Sequence, residues 1–201
     1  AAALLTTITA VSDRIILERY VPVSLLGIYS VGFSLASGIQ SLANGIYKAI
    51  EPEVFRIAGD IGLEDRLLNM KRYIVLILTA VACAAVSLSR EIVILVARPA
   101  FIDSYIIMSL VAVSALIQGT TVPISTYLVA IKQTRSVPMI CFAGSAASVA
   151  LNILLIPRFG IYGAAIGGIG AALATLFAYV FVSERSSSLR WRCGVDLRFI
   201  A

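Results

Sequence analysis

Histidine is missing altogether from this sequence, and charge is scarce. Asp, Glu, Lys and Arg make up 13% of the 201 residues, against about a quarter in a typical soluble domain. Without histidine the chain lacks the commonest metal ligand, the usual general base and the side chain best suited to switching charge near neutral pH. Cysteine is sparse too. Cys83, Cys141 and Cys193 stand far apart with no CxxC spacing, which indicates neither a disulfide framework nor a zinc site. Cys83 and Cys141 fall in apolar runs and read as small core residues. A phosphate-cradling glycine loop, a nucleophile–base pair and a paired-carboxylate site are all lacking, so an enzyme, a metal and a cofactor are not expected. The chain opens at Ala1 in mid-hydrophobic run, with no charged n-region or small-residue cleavage signature. That is the expectation for a fragment lacking its natural start rather than for a signal peptide.

What the chain has is apolar length. With 60% hydrophobic residues and a mean hydropathy of +0.98, it is expected to be an all-α, polytopic membrane protein. Its charges divide it into six predicted spans, at about 1–19, 25–47, 73–97, 104–131, 136–156 and 161–183, with a basic tail over 184–201. Residues 49–70 read as a charged connection. The third run is extended obliquely past Arg90, whose long stem can snorkel. The fourth has 28 uncharged positions, Ser104 to Ile131, interrupted by Gly119, Thr120, Thr121 and Pro123, which predicts a bent helix. The fifth is expected to stop at Pro157-Arg158. The sixth opens GIYGAAIGGIGAALA, where Gly163 and Gly167, then Ala164, Gly168 and Ala172, recur every four residues and allow close helix approach. Tyr29, Tyr47, Tyr105, Tyr127 and Tyr162 sit near run ends and read as interfacial anchors.

Placing the amino end in the cytoplasm puts eleven Lys and Arg inside and five outside (Arg14, Arg19, Arg90, Arg98 and Arg158). The positive-inside rule selects that orientation, with the carboxy terminus cytoplasmic. The net charge of +5 then follows from topology and anionic inner-leaflet lipid, and no nucleic-acid partner is needed.

Within the second run, Ser30, Ser34, Ser37, Ser41, Asn44 and Lys48 follow at spacings of 4, 3, 4, 3 and 4, with Gln40 beside them. On a helix they form one polar stripe. It reads either as a face toward a water-filled path or as packing glue between helices. Asp13 and Arg14 are an ionisable pair in an apolar span, and such a pair is a functional candidate by default. The alternative is that Arg14 pairs with Glu18, four residues on, at a helix end. Gln118 and Asn152 are single amides in apolar runs, suited to interhelical hydrogen bonds. The candidate substrate or ion path is therefore Asp13, Arg14, Ser30, Ser34, Ser37, Gln40, Ser41, Asn44, Gln118 and Asn152.

Three stretches carry a family likeness. SDRIILERYVPVSLLGIYSVGFSLASGIQSL (Ser12 to Leu42), followed by Glu51-Pro52, resembles the start of the second half of bacterial polysaccharide transporters of the O-antigen flippase type. LNILLIPRFGIYGAAIGG (Leu151 to Gly168) is similar to their last hairpin, and REIVILVARPAFIDS (Arg90 to Ser104) to the outer loop before the kinked fourth helix of that half. The resemblance implies the superfamily of multidrug, oligosaccharidyl-lipid and polysaccharide exporters, which also contains lipid II flippases. Those proteins set two six-helix bundles around a central cavity and work by alternating access. The chain would be the carboxy-terminal bundle, with the amino-terminal bundle absent. Asp13 and Arg14 would lie on its first helix near the cavity, beside the striped second helix.

The implied substrate is an undecaprenyl-diphosphate-linked oligosaccharide, moved across the bacterial inner membrane for O-antigen, capsule or exopolysaccharide assembly. Implied partners are membrane lipid, the missing bundle and the polysaccharide polymerase machinery. Physically, a hydrogen-bonding stripe suits sugars and Arg14 suits diphosphate oxygens, while Asp13 would hold Arg14 or bind a coupling cation. The alternatives are a multidrug or cation antiporter of the same superfamily and a non-transporting subunit of a polysaccharide-export complex. A membrane glycosyltransferase or ligase is weakened by the short outer loops and the absent histidine.

Overall fold

The structure, a computed structural model, describes residues 13–56, 63–97, 99–130 and 136–186. All regular structure among these residues is helical. Helix α1 covers the described residues 13–20. It is followed by α2 (Val23–Arg56), α3 (Leu63–Ser87), α4 (Ser89–Val96), a short 3-10 turn (Pro99–Phe101), α5 (Ser104–Ala130), α6 (Ser136–Phe159) and α7 (Ile161–Ser186). Four helices are long and apolar enough to cross a membrane: α2, α5, α6 and α7. A fifth span results if α3 and α4, bent by 66° at their junction, count as one. Most of the predicted first span, the residues 1–12, lies outside the described residues, as do Cys193, Lys132, Arg135 and most of the basic tail.

The helices differ from the sequence expectation at three places. Helix α2 continues through Pro52 to Arg56, and α3 begins already at Leu63, so the predicted connection over 49–70 is largely helix. A sharp break not expected from the sequence falls at Leu88. Leu88 leaves the helical region (φ −97°, ψ 9°), the Ser89 hydroxyl donates to the Val86 carbonyl at 2.9 Å, and the Ser109 hydroxyl on α5 lies 3.1 Å from it. Helix α5, by contrast, runs unbroken through Pro123. Finally, α6 passes Pro157, because a proline costs a helix only its own N–H bond and local sterics. The stop comes at Gly160, whose positive φ of 56° and N–H bond to the Ile156 carbonyl at 2.8 Å form a left-handed C-cap.

Contacts give each helix its direction. Gly32 of α2 abuts Ser104 and Ile107 of α5, while Ala43 lies across from Gly119, so α2 and α5 run parallel. Ser114 meets Gly168, and Ile124 and Leu128 pack with Tyr179, so α7 runs parallel to α5. Helix α6 runs the other way, with Gly144 against Thr175 and Leu155 against Gly163. Leu78 of α3 meets Gly119, while Val93 of α4 meets Met108, so α3–α4 also oppose α5. Up and down crossings therefore alternate in chain order. Arg19 and Arg158 gather at one end, with Lys48 and Arg72 at the other.

Helix α5 is the centre, packed on α2, α3, α4, α6 and α7. The core at one end joins Leu17, Val21, Tyr29, Ile107, Ile156, Ile161 and Ala164. Tyr29 and Tyr47 are buried in the core and are not interfacial anchors, because they belong to the buried face of α2. That face runs Tyr29, Gly32, Ala36, Ile39, Ala43, Tyr47. Tyr105 is half-buried and Tyr162 exposed; the side chain of Tyr127 lies outside the described set. Exposed large apolar residues such as Leu95, Met139, Phe142, Phe177 and Phe181 suit hydrocarbon.

The small residues of α7 serve the close packing predicted for them. A Cβ at Gly163 would strike the Leu155 carbonyl, whereas one at Gly38 would meet nothing within 4 Å. In detergent, Gly163→Ala is expected to lower stability by about 1–3 kcal/mol through overpacking. Gly38→Ala is expected to be neutral or to gain about 0.5–1 kcal/mol from helix propensity. Thermal unfolding of the two variants side by side checks the ranking.

Candidate functional site

Two groups of predicted residues acquire a geometry. The first is a carboxylate–amide pair between α1 and α6. Asn152 is completely buried, on the α6 face that also buries Ile140, Gly144, Ser148 and Ile156. Its Nδ2 donates to Oδ1 of the half-buried Asp13 in a short hydrogen bond. The same amide's Oδ1 is buried and without a partner. It rests against α7 at Gly167, where a Cβ would come within 2.5 Å of it. Asn152 stands seven residues before the end of α6, about 10 Å along the axis, below the headgroups of a bilayer whose core is about 30 Å thick.

Arg14 does not join this pair. It is exposed, as are Glu18 and Arg19, and Asp13 is held by the Asn152 amide rather than by its neighbour in sequence. Successive residues on a helix point about 100° apart, so Asp13 turns toward α6 while Arg14 turns away.

The second group is the α2 stripe. Ser30, Ser37 and Gln40 are half-buried, and Ser34, Ser41, Asn44 and Lys48 are exposed. None belongs to the buried face beside them. Their hydrogen bonds stay on α2: the Ser37 hydroxyl donates to the Ser34 carbonyl at 2.7 Å, and Gln40 Nε2 to Asn44 Oδ1 at 3.5 Å. Gln40 Oε1 is buried and unpartnered. The stripe is therefore an outward polar face over the length of the helix.

Gln118 is exposed and donates to the Ser114 hydroxyl of its own helix at 3.3 Å, so it is not brought to Asp13 or Asn152. Its helical spacing to Val122, Ser125 and Val129 places it on the α5 face that borders Asn44 and Lys48. Ser125 and Thr126 were not singled out from sequence, and Tyr47 was read only as an interfacial anchor. The signal for the first two is the 118, 122, 125, 129 register on α5; Tyr47 is hidden among end-of-run aromatics. Among the described residues no cluster of His, Cys, Asp or Glu can hold a metal.

Comparison with known protein families, with characterised proteins and with solved structures finds no match. The site thus rests on its own geometry.

That geometry predicts a specific coupling. In a double-mutant cycle of Asp13→Ala and Asn152→Ala, the two losses of stability are expected to fall short of additivity by about 0.5–3 kcal/mol. Arg14→Ala should add independently to Asn152→Ala. Unfolding in detergent measures both cycles, and additivity in the first would mean that the pair does not form.

Proposed function

We propose that this chain is the carboxy-terminal six-helix half of a flippase that moves undecaprenyl-diphosphate-linked oligosaccharide across the bacterial inner membrane by alternating access. The observation that carries the reading is the outward polar face of α2. A stripe running the length of a membrane helix, turned away from its own bundle's core, needs a wet or polar counterpart. A second bundle facing it across a cavity would supply one, and the glycan would slide along hydroxyls and amides while its lipid tail stayed in hydrocarbon. The alternating helix directions support the same reading. They agree with an odd–even topology in which residues 1–19 form the first of six spans.

Asp13 and Asn152 suit the coupling role better than the substrate role. A carboxylate oxygen and an unpartnered amide oxygen, the latter covered by α7 at Gly167, offer the hard oxygen ligands that a small cation prefers. Arg14, exposed on the other side of α1, remains available to diphosphate oxygens. A half-buried carboxylate of this kind equally favours a second reading, a cation-coupled drug antiporter of the same superfamily, and only the substrate separates the two.

The test uses the whole protein with Cys83, Cys141 and Cys193 replaced. Single cysteines in Ser34→Cys, Ser41→Cys and Asn44→Cys are expected to react with a membrane-impermeant thiol reagent, and the lipid-linked oligosaccharide should block them. Leu42→Cys, off the stripe, should stay unlabelled. In proteoliposomes, Asp13→Asn should abolish gradient-driven uptake of that lipid. Blocking by a cationic drug instead would transfer the protein to the antiporter reading. If the stripe positions never label, the face is packed against another helix and the transport path is lost.

A further inference from the structure

At the end of the bundle where α2 meets α5 and α6, a cleft of about 310 Å³ opens beside Lys48. Asn44, Tyr47 and Lys48 line it from α2, with Ser125 and Thr126 from α5. The remaining described lining is apolar: Val122, Val129 and Val137.

The hydrogen bonds of the polar lining show what capacity is left over. The hydroxyl protons of Ser125 and Thr126 are both committed to the Val122 carbonyl, at 2.7 and 3.1 Å. The carbonyl oxygen of Asn44 faces the Gln40 amide at 3.5 Å, which leaves its NH₂ group free to donate. Tyr47 is 7% exposed and its hydroxyl has no partner, an unusual state for a buried polar group. Lys48 adds a cation with three N–H donors. Among the described residues, no acidic side chain lines the cleft. A cation beside unused neutral donors calls for an anion rich in acceptors, and phosphate oxygens meet that need with charge-assisted hydrogen bonds. The valines add an apolar wall, which suits the first carbons of a lipid tail.

We infer that this cleft binds the phosphate headgroup of a membrane amphiphile, with Lys48, Tyr47 and Asn44 donating to its oxygens and the three valines against its tail. The end of the bundle is the one that the Lys and Arg bias assigns to the cytoplasm, where anionic lipid is concentrated. The phosphate comes from a resident phospholipid or from a polyprenyl diphosphate in transit. The site is argued independently of the transport reading, and its test reads binding alone.

Purified whole protein in neutral detergent is titrated with phosphatidylglycerol, undecaprenyl diphosphate, inorganic phosphate and diacylglycerol. Native mass spectrometry and thermal stability report binding. At least one phosphate-bearing lipid is expected to bind and raise the Tm, and which one does so identifies the source. Lys48→Gln and Tyr47→Phe should each weaken that binding about tenfold or more, the scale of a lost hydrogen bond to a charged group, and Lys48→Arg should retain most of it. Tyr47→Phe keeps the packing, so its loss reads the hydroxyl alone. Equal binding of diacylglycerol, unchanged affinity in both variants, or binding of inorganic phosphate with none of either lipid overturns the inference.

Discussion

Hydrocarbon offers no hydrogen bonds, so every polar group carried below the headgroups must find its partner within the chain or face something other than lipid. Several of the described hydroxyl residues meet the demand locally. The hydroxyls of Thr79, Thr120, Thr121 and Thr175 donate to carbonyls three or four residues back on their own helices, at 2.7–2.8 Å. Such back-bonding adds no interhelical contact and leaves a serine or threonine nearly apolar to its surroundings. Asn152 cannot be satisfied this way. Its amide needs partners on both atoms, and α1 supplies one of them through Asp13.

The glycines make that arrangement possible. Gly167 gives Asn152 the room of a missing side chain, and Gly163 lets α7 lie on the α6 backbone one turn away. Helix α7 also presses Gly168 toward Ser114 of α5. Two helices of opposite direction thus close on α7 from different sides, and the buried amide is sealed from lipid without a bulky neighbour. Overpacking at Gly163 or Gly167 would move the backbone itself, because the facing atoms are a backbone carbonyl and a fully buried amide rather than flexible side chains.

The helical character, four of the six expected spans and the packing chemistry were legible where charge and small residues punctuate the chain. The charges at Glu18-Arg19, Arg98, Lys132 and Arg158 separate the runs that become α2, α5, α6 and α7, and the four-residue glycine spacing lies where the helices touch. The break at Leu88 was not legible. It carries neither proline nor glycine, and it is anchored by Ser109, twenty residues away in sequence. Pro157 misled for the complementary reason: a proline signals a lost donor, and whether the helix ends there depends on neighbours that compensate. Asp13 and Asn152 were each visible as an anomaly, but their pairing across 139 positions was not. Local spacing suggested Arg14 as the partner of Asp13, and Glu18 as the partner of Arg14.

The members of the α2 stripe do not weigh equally. A serine that donates to its own helix, as Ser37 does to Ser34, costs little against lipid, so the upper part of the stripe would be tolerable on a lipid-facing surface. Gln40, Asn44 and Lys48 are different. An amide carries two donors and an acceptor that no single helical turn can satisfy, and the Gln40–Asn44 contact uses only one donor and one acceptor. Gln40 Oε1 is left unpartnered, and the Lys48 ammonium is left with its charge. The demand for a polar counterpart therefore rises along α2 from Ser30 to Lys48, and it is greatest where the helix borders α5 and α6. Any surface or molecule that meets this helix must satisfy that end first.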